Sequence, residues 1–474
     1  MARIRSRETG VSEPRARTAR LLRAAGACVV AAVTLCSAAA GEAPAEPPNM
    51  MPVPPPVAEA IDSAVGPPPI PRLTTIPPRA RAAGFDRRTQ ELREALLPSP
   101  TGDPFFDRWP ADLGRHRPGH VIAVRDVTAS AGPVVTLPLR SATLIKFATT
   151  DAVGEPIYGT ATLLVPDRRV RGPRPLLVNN LPIDSLGAAC TPGYTLAHGF
   201  SIATGPTDLI PPTTQIALDR GHAVLVPDHQ GPRMAYAEPI LAGHVVLDAI
   251  RAALRLRPDL LQHSRIAMTG YSGGAIATHG ATKLLGEHAP ELRERAVGAA
   301  LGGVPADFRM LVGSMNANLA TGMFHAATFG IARERTELLP MLNRPARWLA
   351  TSPLKNVCVI PEALAGATFL PMQLLSVDPD PFHSPTAERI YRITAMADRT
   401  SVVPLLIYQG THEFWIPAAG ARSLYRQQCA RGATAAYREI FGEHVSGMIL
   451  GFGVAMDWLD RRLAGVPAPN ECRR

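Results

Sequence analysis

Gly270-Tyr271-Ser272-Gly273-Gly274 is the stretch on which the fold of this chain turns. Arg265-Ile266-Ala267-Met268-Thr269 precedes it as strand-forming sequence, and a helical pattern follows from Ala275. A GxSxG sequence by itself is common in a long chain. Between a strand and a helix it has a mechanical meaning: the glycines allow the sharp turn that lifts a serine Oγ to the edge of a sheet. The helix N-terminus behind it favours developing negative charge. Ser272 is therefore the candidate nucleophile.

Outward from this turn, short apolar runs alternate with helical patterns. Residues 144–147 and 157–164 read as an early antiparallel pair, and 175–178, 223–226, 265–269, 297–301, 403–408 and 435–440 read as core strands. Residues 242–256 and 275–285 read as helices between them. Such alternation predicts an α/β fold, a mostly parallel sheet with helices on both faces, and with the serine turn it predicts the α/β-hydrolase fold. The alternation breaks between Gly303 and Val403, where 308–319 and 321–333 have helical patterns and Met310, Met315, Met323, Met341, Met372 and Met396 fall. An inserted, mainly helical cap or lid is expected there. Methionine-rich apolar surface adapts to flexible acyl chains, and it also serves as ordinary core filling.

A serine hydroxyl is a weak nucleophile until a base takes its proton, and this fold class puts a histidine after the last strand and its orienting acid after the preceding one. His444 has that position, following 435–440 through Phe441-Gly442-Glu443, and it is the last of 13 histidines. His279, His325 and His383 read as surface or packing residues. The loop Gly410-Thr411-His412-Glu413-Phe414-Trp415-Ile416-Pro417 holds one carboxylate, Glu413, as the candidate acid. Asp378 and Asp398 precede the strand and are weaker candidates. Two donors are also needed for an oxyanion. One is the backbone N–H of Gly273, and the other comes from the loop after 175–178, where Asn179, Asn180 and Asp184 are open alternatives.

Composition narrows the partners. Of the 474 residues, 46% are hydrophobic and 19% charged, enough apolar material for a large core. The net charge is +9, but residues 1–40 hold seven Arg and two acids, so removing their +5 leaves +4. With no basic cluster interleaved with aromatics, this gives no nucleic-acid signal. The same forty residues, an Arg-rich stretch followed by a short Ala-rich apolar run ending at Ala38 and Ala40, read as a signal peptide. Cys36 raises a lipid anchor, against which the large Leu35 before it counts. Removal of the leader leaves Cys190, Cys358, Cys429 and Cys472, an even number that suggests two disulfides in an oxidising compartment. Residues 41–80 contain 13 Pro and read as an extended tether, with order expected from Phe105 and Phe106. The expected organisation is signal peptide 1–40, tether 41–95, hydrolase core 96–303, cap 304–397 and core again 398–474.

Several further segments give the chain a family resemblance. Asp103-Pro104-Phe105-Phe106 with Pro118-Gly119, Asp184 with Cys190-Thr191-Pro192-Gly193-Tyr194, and Pro227-Asp228-His229-Gln230-Gly231-Pro232 are three of them. Gly243-His244-Val245-Val246-Leu247-Asp248 and Gly302-Gly303-Val304-Pro305-Ala306-Asp307 are two more. Together with the serine turn the sequence resembles the secretory lipase family of the fungal lipase A type over about residues 100–472. The resemblance implies Ser272 as nucleophile, His444 as base, and the backbone N–H groups of Asp184 and Gly273 as oxyanion donors. It also implies Cys190–Cys358 and Cys429–Cys472 pairs, and a cap that acts as a lid over an acyl tunnel. The departure is at the acid, where the family has Asp followed by an acid or amide and this chain has Glu413-Phe414.

The expected activity is transfer of an acyl group from a lipid ester to water through an acyl-enzyme, as in a triacylglycerol lipase or carboxylesterase. The rivals are an acyltransferase with the same triad and a catalytically weakened lipid-binding homologue. No metal or organic cofactor is implied, since there is no HExxH, paired CxxC or Walker loop, and Gly451-Phe452-Gly453 lacks a third glycine. Partners are a lipid or acyl ester and a lipid interface. No transmembrane segment follows the leader, and the sequence does not specify an oligomeric state.

Overall fold

Runs such as Leu176–Asn180 and Ala223–Pro227 carry no charged residue, and as strands they are buried along their whole length. That is the pattern of strands covered on both faces. The structure is a computed structural model describing residues 50–201 and 212–472; the expected signal peptide and residues 41–49 lie outside the described residues. Its sheet has nine strands, β1 (Val121–Asp126), β2 (Leu139–Thr150), β3 (Pro156–Pro166), β4 (Leu176–Asn180), β5 (Ala223–Pro227), β6 (Ile266–Tyr271), β7 (Ala296–Gly302), β8 (Leu405–Gly410) and β9 (Ala435–Ile440). Their order is β1-β2-β3-β5-β4-β6-β7-β8-β9. The first three strands and the β3–β5 pair are antiparallel, and β5 through β9 run parallel.

The numbered helices are α1 (Pro55–Ala64), α2 (Arg87–Leu96), α3 (Pro239–Leu256), α4 (Gly273–His288), α5 (Phe308–Met315), α6 (Thr321–Glu334), α7 (Arg344–Thr351), α8 (Val359–Ala365), α9 (Pro385–Ala395), α10 (Ala418–Ala430) and α11 (His444–Leu463). Strand alternation divides the core in two. Ile145, Phe147, Leu176 and Val178 pack with residues of α3 and α4 on one face, while Leu144, Leu177 and Val224 pack with Ala455, Met456 and Leu459 of α11 on the other. Between β7 and β8 lies the inserted helical cap, α5 to α9, with its own apolar cluster built around Phe308, Met323, Phe329 and Phe382.

Two sequence expectations differ from the structure, and one strand lies beyond them. Residues 50–95 of the expected tether are folded onto the protein: Leu92 and Leu96 of α2 belong to the cap cluster, and Asp62 Oδ1 accepts from Arg344 N at 2.7 Å. The prolines do not prevent this, because Pro55 opens α1 at positions whose N–H groups have no intrahelical partner in any case. Asp86 then caps α2 by accepting from Thr89 N at 2.7 Å. Order thus begins well before Phe105, as Val53 N donates to Pro379 O at 3.0 Å. Strand β1 was also hidden, since Val121–Asp126 carries His, Arg and Asp neighbours and is only half-buried at the sheet edge.

The junction of sheet, cap and N-terminal segment is centred on Arg333 of α6, which is 1% exposed. Its guanidinium reaches five main-chain carbonyls, those of Leu96 (3.1 Å), Leu186 (2.7 Å), Arg233 (3.1 Å), Met234 (3.0 Å) and Lys355 (2.9 Å). Arg93 of α2 returns a bond to Arg333 O at 2.7 Å. Arg233 meets Asp151 and Glu334, each at 3.0 Å. Two disulfides add covalent ties, Cys190–Cys358 between the loop after β4 and the cap, and Cys429–Cys472 between α10 and the C-terminal segment.

Candidate active site

Ser272 stands between β6 and α4 with φ 54° and ψ −124°, a left-handed conformation that costs a residue with a Cβ and is the strained turn expected of a nucleophile. The glycines around it are sterically required. A Cβ on Gly270 would meet Gly274 O at 2.1 Å, one on Gly274 would meet Asn180 O at 1.9 Å, and one on Gly273 would meet Asp184 Oδ1 at 1.6 Å.

His444 is the first residue of α11, and its position is held from both sides. Glu443 caps the helix by accepting from Val445 N (2.9 Å) and Ser446 N (2.8 Å), while Ser446 Oγ accepts from Glu443 N at 2.9 Å. Tyr271, the residue before the serine, donates its hydroxyl to His444 O at 2.7 Å. The imidazole then lies with Nε2 3.0 Å from Ser272 Oγ and Nδ1 2.7 Å from Glu413 Oε2. Glu413 turns its other oxygen back into its own loop, where Oε1 accepts from Trp415 N (3.0 Å) and Ile416 N (3.1 Å). The added methylene of glutamate is accommodated in this way, and its side chain is fully buried. Burial works against an imidazolium, but the charge and hydrogen bond of Glu413 outweigh it and raise the His444 pKa. The Trp415 and Tyr271 rings flank the imidazole at 5.6 and 5.2 Å.

Of the three loop alternatives, the two asparagine side chains are engaged elsewhere. Asn179 Nδ2 donates to Thr213 and Thr214, and Asn180 Nδ2 to Thr278, all at 2.9 Å. Asp184 is the one beside the serine, with a positive φ of 40°. Its carboxyl lies against Ser272 and Gly273, and burial pushes its pKa up to about 6 against the opposing pull of His444 and of hydrogen bonds from Gly273 N–H and the Ser272 hydroxyl. The other histidines are placed otherwise: His279 is buried in α4, His325 is half-buried in α6, and exposed His383 bonds Asp380 at 2.8 Å. Asp378 accepts from Asp380 N at 3.0 Å in a cap loop.

Sequence reasoning missed Tyr271, Glu443 and Trp415 as supports of His444. The first two had a local signal, since one sits inside the serine motif and the other immediately precedes the histidine as a helix cap. Among the described residues no group of three or more His, Cys, Asp or Glu side chains is arranged to hold a metal ion. No helix among them is long and apolar enough to cross a membrane.

A sheet of this order with a strained serine at the end of β6 and a histidine after β9 defines the α/β-hydrolase class, and the chain overlays Candida antarctica lipase A with a TM-score of 0.72 at 24% identity, covering 80% of this chain and 89% of that one. The secretory lipase family model matches residues 206–471, and the chain belongs to that family. A probable inactive lipase of Mycobacterium tuberculosis is 32% identical over 392 residues, covering 80% of this chain and 86% of the relative. A trichothecene C-3 esterase of Fusarium sporotrichioides is 28% identical over 405 residues, covering 80% and 86%.

Proposed function

We propose that this chain is an exported ester hydrolase that cleaves lipid acyl esters through Ser272, His444 and Glu413. The observation that carries the reading is the continuous relay from Glu413 Oε2 through both imidazole nitrogens to Ser272 Oγ. In the proposed reaction Ser272 Oγ attacks the acyl carbonyl while His444 Nε2 takes its proton, and Glu413 keeps Nδ1 protonated and balances the imidazolium. The backbone N–H groups of Gly273 and Asp184 receive the oxyanion. Collapse expels the alcohol, which is protonated by His444, and water repeats the sequence on the acyl-enzyme. Membership of the secretory lipase family and the two disulfides support export.

The test is labelling by a fluorophosphonate together with turnover of p-nitrophenyl butyrate. Labelling at Ser272 and turnover that vanishes in Ser272→Ala support the reading, and folded protein that neither labels nor turns over defeats it. The name of the mycobacterial relative favours a second reading, a lipid-binding homologue of little activity. Stoichiometric binding of a fatty acyl ester without cleavage would select it.

A further inference from the structure

Next to the oxyanion loop the cap buries a carboxyl that the protein leaves unanswered. Glu362 of α8 is 3% exposed, and neither of its carboxyl oxygens has a hydrogen-bond partner. Leu186 N–H is near enough to draw the carboxyl's pKa down, but it is given to Val357 O at 2.9 Å. Arg333 is near enough to act on its charge, yet that guanidinium is directed at main-chain carbonyls.

Helix α8 cannot swing this group outward. Its N-cap residue is Cys358, disulfide-bonded to Cys190. On either side of that bond, Leu186 N and Gly187 N donate to Val357 O at 2.9 and 3.2 Å, and Val359 N donates to Ser185 Oγ at 3.0 Å. Behind it, Gly322 of α6 packs so closely that a Cβ there would meet Glu362 O at 1.9 Å. The polar groups that act on Glu362 from the sheet side are Asp184, whose carboxyl lies against Ser272 and Gly273, and the buried Tyr236.

Burial, with the charge of Asp184 added, raises the Glu362 carboxyl well above the ordinary range and so favours its protonated form. It then presents an O–H donor beside a C=O acceptor, the complement of an alcohol. A buried polar group without a partner destabilises the fold that contains it, and a bound hydroxyl answers both of its valences.

We propose that Glu362, with Tyr236, binds a free hydroxyl on the alcohol part of the ester, so that partial glycerides are the preferred substrate class of the site. This rests on the hydrolase reading above. Saturated acyl chains offer a carboxyl nothing to bond, whereas a monoacylglycerol carries hydroxyls a few bonds from its ester. A site built to bond a substrate hydroxyl also discriminates strongly against an analogue without one.

The test compares kcat/KM on monocapryloylglycerol and on ethyl caprylate, which share one acyl chain, for the full protein, Glu362→Leu, Glu362→Gln and Tyr236→Phe. Glu362→Leu is expected to lower the glyceride-to-ethyl-ester ratio at least about tenfold. Glu362→Gln keeps one donor and one acceptor and should hold the ratio within about threefold, and Tyr236→Phe should fall between. The melting temperature of Glu362→Leu is expected to equal or exceed that of the parent, because a substrate-binding carboxyl is a burden on the empty fold. A ratio unchanged in all three variants overturns the inference, as does an equal loss on both esters accompanied by a lower melting temperature. If the parent cleaves neither ester and matches Ser272→Ala, the hydrolase reading itself has failed, a result distinct from an altered or unaltered ratio.

Discussion

Two buried polar centres meet at the loop after β4, and they differ in what they leave open. Two residues beyond Asp184, the Leu186 carbonyl accepts from Arg333, whose guanidinium is directed at five carbonyls and whose neighbours Arg233, Asp151 and Glu334 are paired, apart from one oxygen of Glu334. Around Ser272 the bonds run in one direction, from the serine hydroxyl to His444 Nε2 and from His444 Nδ1 to the Glu413 carboxylate. In the cap, across the loop that carries Asp184, both oxygens of Glu362 are without partners. A closed network of buried charge fixes geometry, while an open one holds places for atoms that come from outside.

The comparison is broken most severely by removing the nucleophile at the end of the relay. Ser272→Ala is expected to lower kcat on p-nitrophenyl butyrate by about 10⁴-fold or more while leaving the melting temperature within a few degrees of the parent. Glu413→Gln should lower kcat by about 10³-fold, because an amide at this position no longer stabilises the imidazolium. The same change at the closed centre acts on the fold instead. Arg333→Leu leaves five buried carbonyls short of a donor and should cost about 3–5 kcal/mol in urea unfolding. If the activity of its folded fraction fell as far as that of Ser272→Ala, the division between the two centres would be wrong.

Smaller effects sharpen it. Replacing Cys429 and Cys472 together by Ser opens a link spanning 43 residues and should lower stability by about 2–4 kcal/mol, read by the same unfolding curve, with kcat little changed. The smallest effect is on pH dependence. The His444 pKa is raised by Glu413, and the base must be neutral to act, so kcat/KM should fall as pH drops through a value above that of an ordinary imidazole. In Glu413→Gln the raising charge is gone, and this limb should move to lower pH. A limb unmoved by the substitution would mean that another group sets it.

Much of this was legible in the chain. The serine turn, the eight strands from 144 onward and the two helices beside the turn follow from runs and periods a few residues long. His444 was legible by position, as the last histidine after the last strand. Residues 50–95 were less legible, because the proline content of a whole segment does not decide its structure; what matters is where each proline falls relative to a helix start. Glu413 was singled out as the one carboxylate of its loop, but its reach to His444 depended on Trp415 and Ile416 N–H groups holding its second oxygen.

Sequence by itself determined the local features: glycines around a serine in a left-handed turn, an acid capping the helix that begins with the histidine, and four cysteines able to form two bridges. Tertiary structure alone decided which of Asn179, Asn180 and Asp184 faces the serine, that the N-terminal helices close the cap's core, and that Glu362 is buried unpaired. The reason is one of range. Backbone preference is set by neighbours along the chain, whereas burial, pairing and acidity are set by neighbours in space that can lie far off in the chain, as Arg333 lies 237 positions from Leu96 and as Glu362 lies far from Asp184.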